Sequence, residues 1–246
     1  MKILLICGHG AGDPGAVGNG CKEADLVREI APKLKNILSD YAEVTLFDPN
    51  KNMYKYLKST SFNFKNFDYV FELHFNACVN DKNGDGNTTG TEILVHNLEK
   101  GTSVEELIVN NISKLGFKNR GVKRRVDLQN MNICKKTQGV SYALLETCFI
   151  DDFDDMHLYN QKKCDIIEAI AKGIIEGFGL NQFKNDVQSS MNEAELLTSA
   201  NDITWELNNS YFPITQTEKF VQELDEAKSK NSSLYWGYYK LVNKIK

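Results

Sequence analysis

The feature that most constrains this chain is a short apolar run, Ile3 to Ile6, that stops at Gly8-His9-Gly10 and opens into a glycine-rich loop ending near Gly20. A buried strand feeding such a loop, with an amphipathic helix starting near Lys22, is the opening of an open α/β sheet. Ligands gather there at the carboxyl ends of the strands. His9 is delivered to that edge with a glycine on either side of it, and Glu23, in the first turn of the helix, can return to the same point. An imidazole and a carboxylate offered together suit a metal ion, but a third ligand has to come from elsewhere.

The rest of the chain repeats the pattern. Glu43–Phe47, Tyr69–Phe75, Thr91–Val95 and Tyr142–Thr147 read as strands. The helix after Glu23 carries Leu26, Ile30, Leu34 and Ile37 at helical spacing, and Pro32 should bend it. Met53–Thr60 reads as a short helix, Ser103–Leu115 as a helix with Ser103 as N-cap and Glu106 closing a capping box, and Met156–Phe178 as a long closing helix. The strand ending on His74 is the second to end on a histidine, and Glu146 is a carboxylate among Leu144, Leu145 and Phe149. A carboxylate in such company is costly to bury unless something charged or hydrogen-bonded faces it.

Two polar stretches have a bland and a sharp reading. Asp81–Glu92 satisfies the EF-hand calcium pattern, but Thr88 replaces an aliphatic residue and the flanks read as strands, which favours a polar hairpin loop. Asn119–Asp127 carries Arg120, Lys123, Arg124 and Arg125; it reads either as a solvated loop or as a grip on an anionic substrate.

His9, Glu23, His74 and Glu146 together make a catalytic constellation. Two imidazoles and a carboxylate around an open position form a catalytic zinc site, and a second carboxylate outside the ligand set can shuttle the proton that an amine leaving group needs. At these residues the chain becomes recognisable. CGHGAGDPGA, KEADL, ELHFNA, GTEI, RGVKRR and LLETCFIDD, in this order, resemble the zinc-dependent N-acetylmuramoyl-L-alanine amidases over about residues 1–180.

The resemblance implies a twisted mixed β-sheet flanked by helices on both faces. It implies Zn2+ on His9, Glu23 and His74, with Glu146 as general acid/base. Asn76 follows the second histidine as in the family, and Arg120, Lys123 and Arg124 would lie beside the cleft to hold stem-peptide carboxylates. The implied substrate is the amide between N-acetylmuramic acid and L-alanine in bacterial peptidoglycan. Cys7 in place of the usual proline, Asp152 in place of asparagine, and the missing Met-Pro pair near Val140-Ser141 leave the four metal-site residues untouched.

Beyond this, residues 181–194 are polar and read as a linker. Residues 195–246 carry three short amphipathic stripes, expected to pack as a small three-helix domain. Both tryptophans are here, and Trp205, Tyr235 and Trp236 are either its core or its contacts with the wall. Such a tail behind an amidase resembles clostridial-type phage endolysins. Exposed aromatics would also allow a homo-oligomer, with an internal start at Met191 as a source of free tails.

With 41% hydrophobic and 25% charged residues the chain has the composition of an ordinary globular protein, and its net charge of −4 argues against general nucleic-acid binding. No apolar run approaches the roughly 18 residues of a membrane span. The four-residue apolar start is shorter than a signal-peptide core of roughly 7–15 residues. Synthesis in the host cytoplasm and action on the wall after holin-type release are therefore expected. A host autolysin of the same chemistry and a non-catalytic wall-binding protein are the rival readings.

Overall fold

The apolar run of β1 (Lys2–Cys7) is buried from Ile3 onward on both faces, so it must be an inner strand. The computed structural model describes residues 1–180. The expected linker, the tail helices, Trp205, Tyr235 and Trp236 lie outside the described residues. After β1 come a small hairpin of β2 (Val17–Gly18) and β3 (Cys21–Lys22), then α1 (Glu23–Leu38), β4 (Glu43–Leu46) and α2 (Met53–Ser59). β5 (Tyr69–Asn76), β6 (Thr91–His96), α3 (Ser103–Ser113) and β7 (Asn119–Arg125) follow. α4 (Gln129–Met131) runs into a π-helical turn at Asn132–Thr137, and β8 (Ser141–Phe149) and α5 (Phe153–Gly177) close the fold.

The sheet order is β4-β1-β5-β8-β6-β7. β4, β1, β5 and β8 are parallel; β6 runs antiparallel to β8 and parallel to β7. The expected mixed sheet is therefore present, and it is mostly parallel.

Alternation along the strands builds two cores. Leu5, Phe71, Leu73, Ile93 and Leu145 pack with α1, α3 and α5 on one face. Leu4, Ile6, Val70, Tyr142 and Leu144 pack on the other with Met53, Phe64, Met131 and Cys134 from short helical turns. The long helices thus share one face, and the short ones cover the opposite face.

Two local expectations are corrected. Residues 119–125 form an edge strand rather than a solvated loop, paired to β6 from Thr91↔Asn119 to His96↔Arg125. Its cations are what an exposed edge carries to discourage further pairing. The N-cap of α3 is Thr102, one residue earlier than expected, and its hydroxyl donates to Glu106 at 2.7 Å. α1 runs through Pro32 to Leu38, as the spacing of Leu34 and Ile37 predicts.

Asp155, fully buried in the first turn of α5, holds the sheet's working end together. Its carboxylate accepts from Phe149 N at 2.7 Å and from Gly90 N at 3.0 Å, joining the end of β8 to the start of β6. Asp155→Ala leaves both N–H groups orphaned, at roughly 1–3 kcal/mol each. Urea unfolding should show a lower midpoint at unchanged slope, and an unchanged midpoint would show that Asp155 does not carry this junction.

Candidate metal and catalytic centre

The four predicted residues converge at one end of the sheet. His9 follows β1, Glu23 is the first residue of α1, and His74 stands two residues before the end of β5. Glu146 on β8 is the register partner of His74. On β8 the span from Glu146 to Phe149 faces only His74 to Asn76 on β5, a bulge beside the site. One end of the sheet therefore presents His74, Glu146 and, from antiparallel β6, Glu92 opposite Glu146.

Glu23 is the hub. Its Oε1 accepts from His74 Nδ1 at 2.7 Å and from Phe75 N at 3.0 Å; its Oε2 lies 3.1 Å from His9 Nε2 and accepts from Ala16 N at 2.9 Å. The side chain is 3% exposed. Burial works against its ionisation, but the hydrogen bonds from His74 and His9 outweigh it and hold the carboxyl below its ordinary range. The two imidazoles meet edge to face with centroids 5.0 Å apart. This closeness explains two glycines. A Cβ on Gly8 would meet the His74 ring at 2.4 Å, and one on Gly15 would meet Glu23 Oε2 at 2.6 Å. His9 itself adopts φ of +57°, a left-handed backbone that costs a non-glycine residue about 1–3 kcal/mol and concentrates at functional sites.

What holds that backbone is Arg28, which reading the sequence missed. Its guanidinium donates to Gly8 O and His9 O, both at 3.0 Å, and to Ala24 O, Pro49 O and Lys51 O. An arginine one turn into an amphipathic helix carries no sequence signal of that role.

One ligand atom each from His9, Glu23 and His74 falls within 4.8 Å of the others, so the set could hold a metal ion. The donor chemistry fits: two imidazole nitrogens flank one carboxylate, and the far nitrogen of His9 is taken by Asp13 Oδ2 at 3.0 Å. Asp13 is in turn held by Asn52 Nδ2 at 3.1 Å and by Gly15 N at 3.0 Å. Burial lowers the basicity of His74, yet the Glu23 and Glu72 carboxylates raise it well above the usual imidazole range. The Glu23 hydrogen bond likewise raises His9.

Glu146 behaves differently. Its Oε2 is buried with no hydrogen-bond partner among the described residues, and burial, reinforced by Glu23 and Glu92, pushes its carboxyl up to about 7 against the pull of His74 and His9. A carboxyl poised there can both accept and donate a proton near neutral pH.

The residues predicted to grip substrate are each bonded within the protein. Arg120 Nε donates to Glu92 Oε2 at 2.6 Å, and Lys123 donates to the same oxygen. Asn76 Nδ2 donates to Glu92 Oε1 at 3.0 Å. Arg124 donates to the carbonyls of Asn97 and Glu99, and Arg125 pairs with Asp127. Arg120, Lys123 and Asn76 thus stand beside Glu146 through Glu92, while Arg124 points its guanidinium at the turn after β6. The calcium pattern also comes apart: Asp81 and Asp85 cluster with Asp154 of α5, whereas its last position, Glu92, is buried in β6.

Residues 3–176 match the family described as N-acetylmuramoyl-L-alanine amidase. A Staphylococcus aureus protein named "Probable autolysin PH" is 28% identical over 72% of this chain and 38% of its own length. The endolysin of Bacillus phage SPP1 is 28% identical over 71% of this chain and 64% of its own. The chain thus spans less than two thirds of either relative. Among solved structures, the catalytic domain of an endolysin targeting Clostridia Difficile superposes with a TM-score of 0.56 at 24% identity, over 72% of this chain and 97% of that one, a likeness of fold.

The signs of the shifts fix a pH window for the metal-free protein. The raised histidines contribute stability that is complete below their ordinary 6.5 and lost as pH rises through their folded values. The lowered Glu23 contributes stability present above its ordinary 4.5 and lost on acidification. Melting temperature of chelator-treated protein should therefore be highest between these limits and fall on either side, with His74→Ala flattening the alkaline limb. A flat profile in the parent would refute the charge assignment.

Proposed function

The chain belongs to the N-acetylmuramoyl-L-alanine amidase family, and we propose from that premise that it is a zinc-dependent peptidoglycan hydrolase. It cleaves the amide between N-acetylmuramic acid and L-alanine. The observation that carries this reading is the register pairing of His74 with Glu146 beside the His9–Glu23–His74 cluster. Ligands and a proton carrier then stand on neighbouring strands.

His9, Glu23 and His74 would hold the ion. Zinc bound there supplies Lewis acidity toward a carbonyl oxygen and toward water. The chain's own part is proton movement and positioning. Glu146, ionised, takes a proton from the attacking water as oxygen adds to the lactyl carbonyl. It then delivers that proton to the alanine nitrogen as the C–N bond breaks, leaving a carboxylate and a free amine. Asp13 holds His9 in one orientation. Lys123 and Arg120, with two charges against the one on Glu92, leave the cleft's flank net positive toward stem-peptide carboxylates.

The biological setting proposed is lysis of a bacterial host as a phage endolysin, supported by the likeness to the Bacillus phage SPP1 protein. The equal identity to an autolysin supports the host-enzyme reading as well. A holin gene beside this one decides for the phage, and its absence from a chromosomal locus decides for the host.

Wall digestion in a zymogram should be abolished by chelator and restored by zinc, and should expose new N-terminal alanine without new reducing ends. Glu146→Gln should keep its zinc and fold while losing roughly 10²–10⁴ in rate. Near-normal digestion by that variant would remove Glu146 from the mechanism, and new reducing ends would make the protein a glycosidase instead.

Residues 195–246 are proposed as the wall-targeting domain. In the full chain, Trp205→Ala and Trp236→Ala should lower co-sedimentation with cell walls at unchanged cleavage of a soluble muropeptide. Undiminished sedimentation would reduce the tail to a structural appendage.

A further inference from the structure

Glu72 is a buried carboxylate that the mechanism above does not use. It lies two residues before His74 on the same face of β5, 4% exposed, with Oε1 3.3 Å from His74 Nε2. Its other partner is Asn130 of α4, whose Nδ2 donates to Oε1 at 3.0 Å and to Oε2 at 3.3 Å. Asn130 is itself buried, and among the described residues its Oδ1 has no hydrogen-bond partner. A carboxylate this buried is expensive unless a hydrogen bond or a charge faces it, and the His74 ring and the Asn130 amide are what face it.

We infer that Glu72 is a positioning residue for the metal centre: it accepts the Nε2–H of His74, so that Nδ1 is the nitrogen turned toward Glu23 and His9. This rests on the metal reading proposed above. The geometry bears it out on both sides of the ring. Nδ1 faces Glu23 Oε1 at 2.7 Å, inside the cluster, and Nε2 faces Glu72, outside it. His9 is arranged in the same way with its nitrogens exchanged, Nε2 toward Glu23 and Nδ1 toward Asp13. Each imidazole thus has one nitrogen directed into the cluster and the other fixed by a separate carboxylate. Each of those carboxylates is held by an asparagine amide, Asn52 for Asp13 and Asn130 for Glu72. Such outer partners fix the tautomer and ring orientation of a metal-binding histidine and raise its donor strength. The two asparagines come from α2's N-cap and from α4, both on the face of the sheet covered by short helical turns. That face therefore orients ligands as well as closing a core.

The test is zinc affinity of the full-length protein, measured by competition with a chromogenic chelator, together with the slowly exchanging ring N–H of His74 in the proton spectrum of the zinc-loaded protein. Glu72→Ala should weaken zinc about 10–100-fold, the usual worth of such a partner, and abolish the N–H signal. Glu72→Gln should recover part of both, because its amide oxygen can still accept from Nε2 while Asn130, with Oδ1 unpartnered, can turn to meet the new amide donor. Asn130→Ala should fall between wild type and Glu72→Ala, and it carries the test if Glu72→Ala does not fold. Wild-type affinity and a persisting N–H in Glu72→Ala, or in Asn130→Ala where that variant decides, would overturn this inference alone. Failure of the wild-type protein to bind zinc would instead sink the metal reading beneath it.

Discussion

A single buried carboxylate, Glu23, sets the geometry on which the rest of this structure depends. It draws His9, from the loop after β1, and His74, from β5, to its two oxygens, and two backbone N–H groups complete its shell. Its position as the first residue of α1 adds the positive end of the helix dipole. Burying an unpaired carboxylate is prohibitive, so the loop between β1 and α1 has to fold back over it. That fold is strained at His9, and Arg28 offsets the strain by satisfying carbonyls on both sides of the turn. Among the described residues the guanidinium is paired with no carboxylate, and its donors are spent on backbone carbonyls.

The mixed direction of the sheet supplies the remaining groups. Because β5 and β8 are parallel and in register, His74 and Glu146 leave the same face at the same height. Because β6 is antiparallel, it brings its first residues rather than its last to that end, and so Glu92 arrives opposite Glu146. The same alternation that sends Leu73 and Leu145 into the core under the long helices turns Glu72, His74 and Glu146 toward the other face. What the strands contribute to the site is thus a by-product of strand period and direction, with a bulge after Glu146.

Much of this was legible in the sequence because it rested on local pattern. An apolar run halted by glycine and histidine announced β1, and YVFELHF announced β5 with His74 at its end. The edge strand 119–125 was not legible, since a strand with solvent on one side and cations along it lacks the apolar alternation that marks a strand. The cap of α3 slipped by one residue because threonine and serine stand side by side, and only the backbone decides between them. Arg28, Glu72 and Asp13 escaped for a different reason: their partners are fixed by tertiary contact, and nothing in the spacing of these residues encodes it. The Asp81–Glu92 spacing is met only in part: Asp81 and Asp85 draw together with Asp154, while Glu92 is taken by β6 and its neighbours.

Glu92 and Glu146 show how the same side chain acquires two behaviours at one end of one sheet. They are register partners on adjacent antiparallel strands, and each opposes ionisation of the other. Burial presses on both. Glu92 escapes it through Lys123, Arg120 and Asn76, whose donors converge on its two oxygens, and its carboxyl is held below the ordinary range. Among the described residues Glu146 has no such partner on its buried oxygen, and it is pushed up to about 7. Two neighbouring carboxyls whose environments separate their proton affinities give the pattern from which acid–base roles are assigned. It follows that the cations of β7 have a task before any substrate arrives. They keep Glu92 ionised, while burial above all, with smaller contributions from Glu23 and Glu92, pushes Glu146 up to about 7.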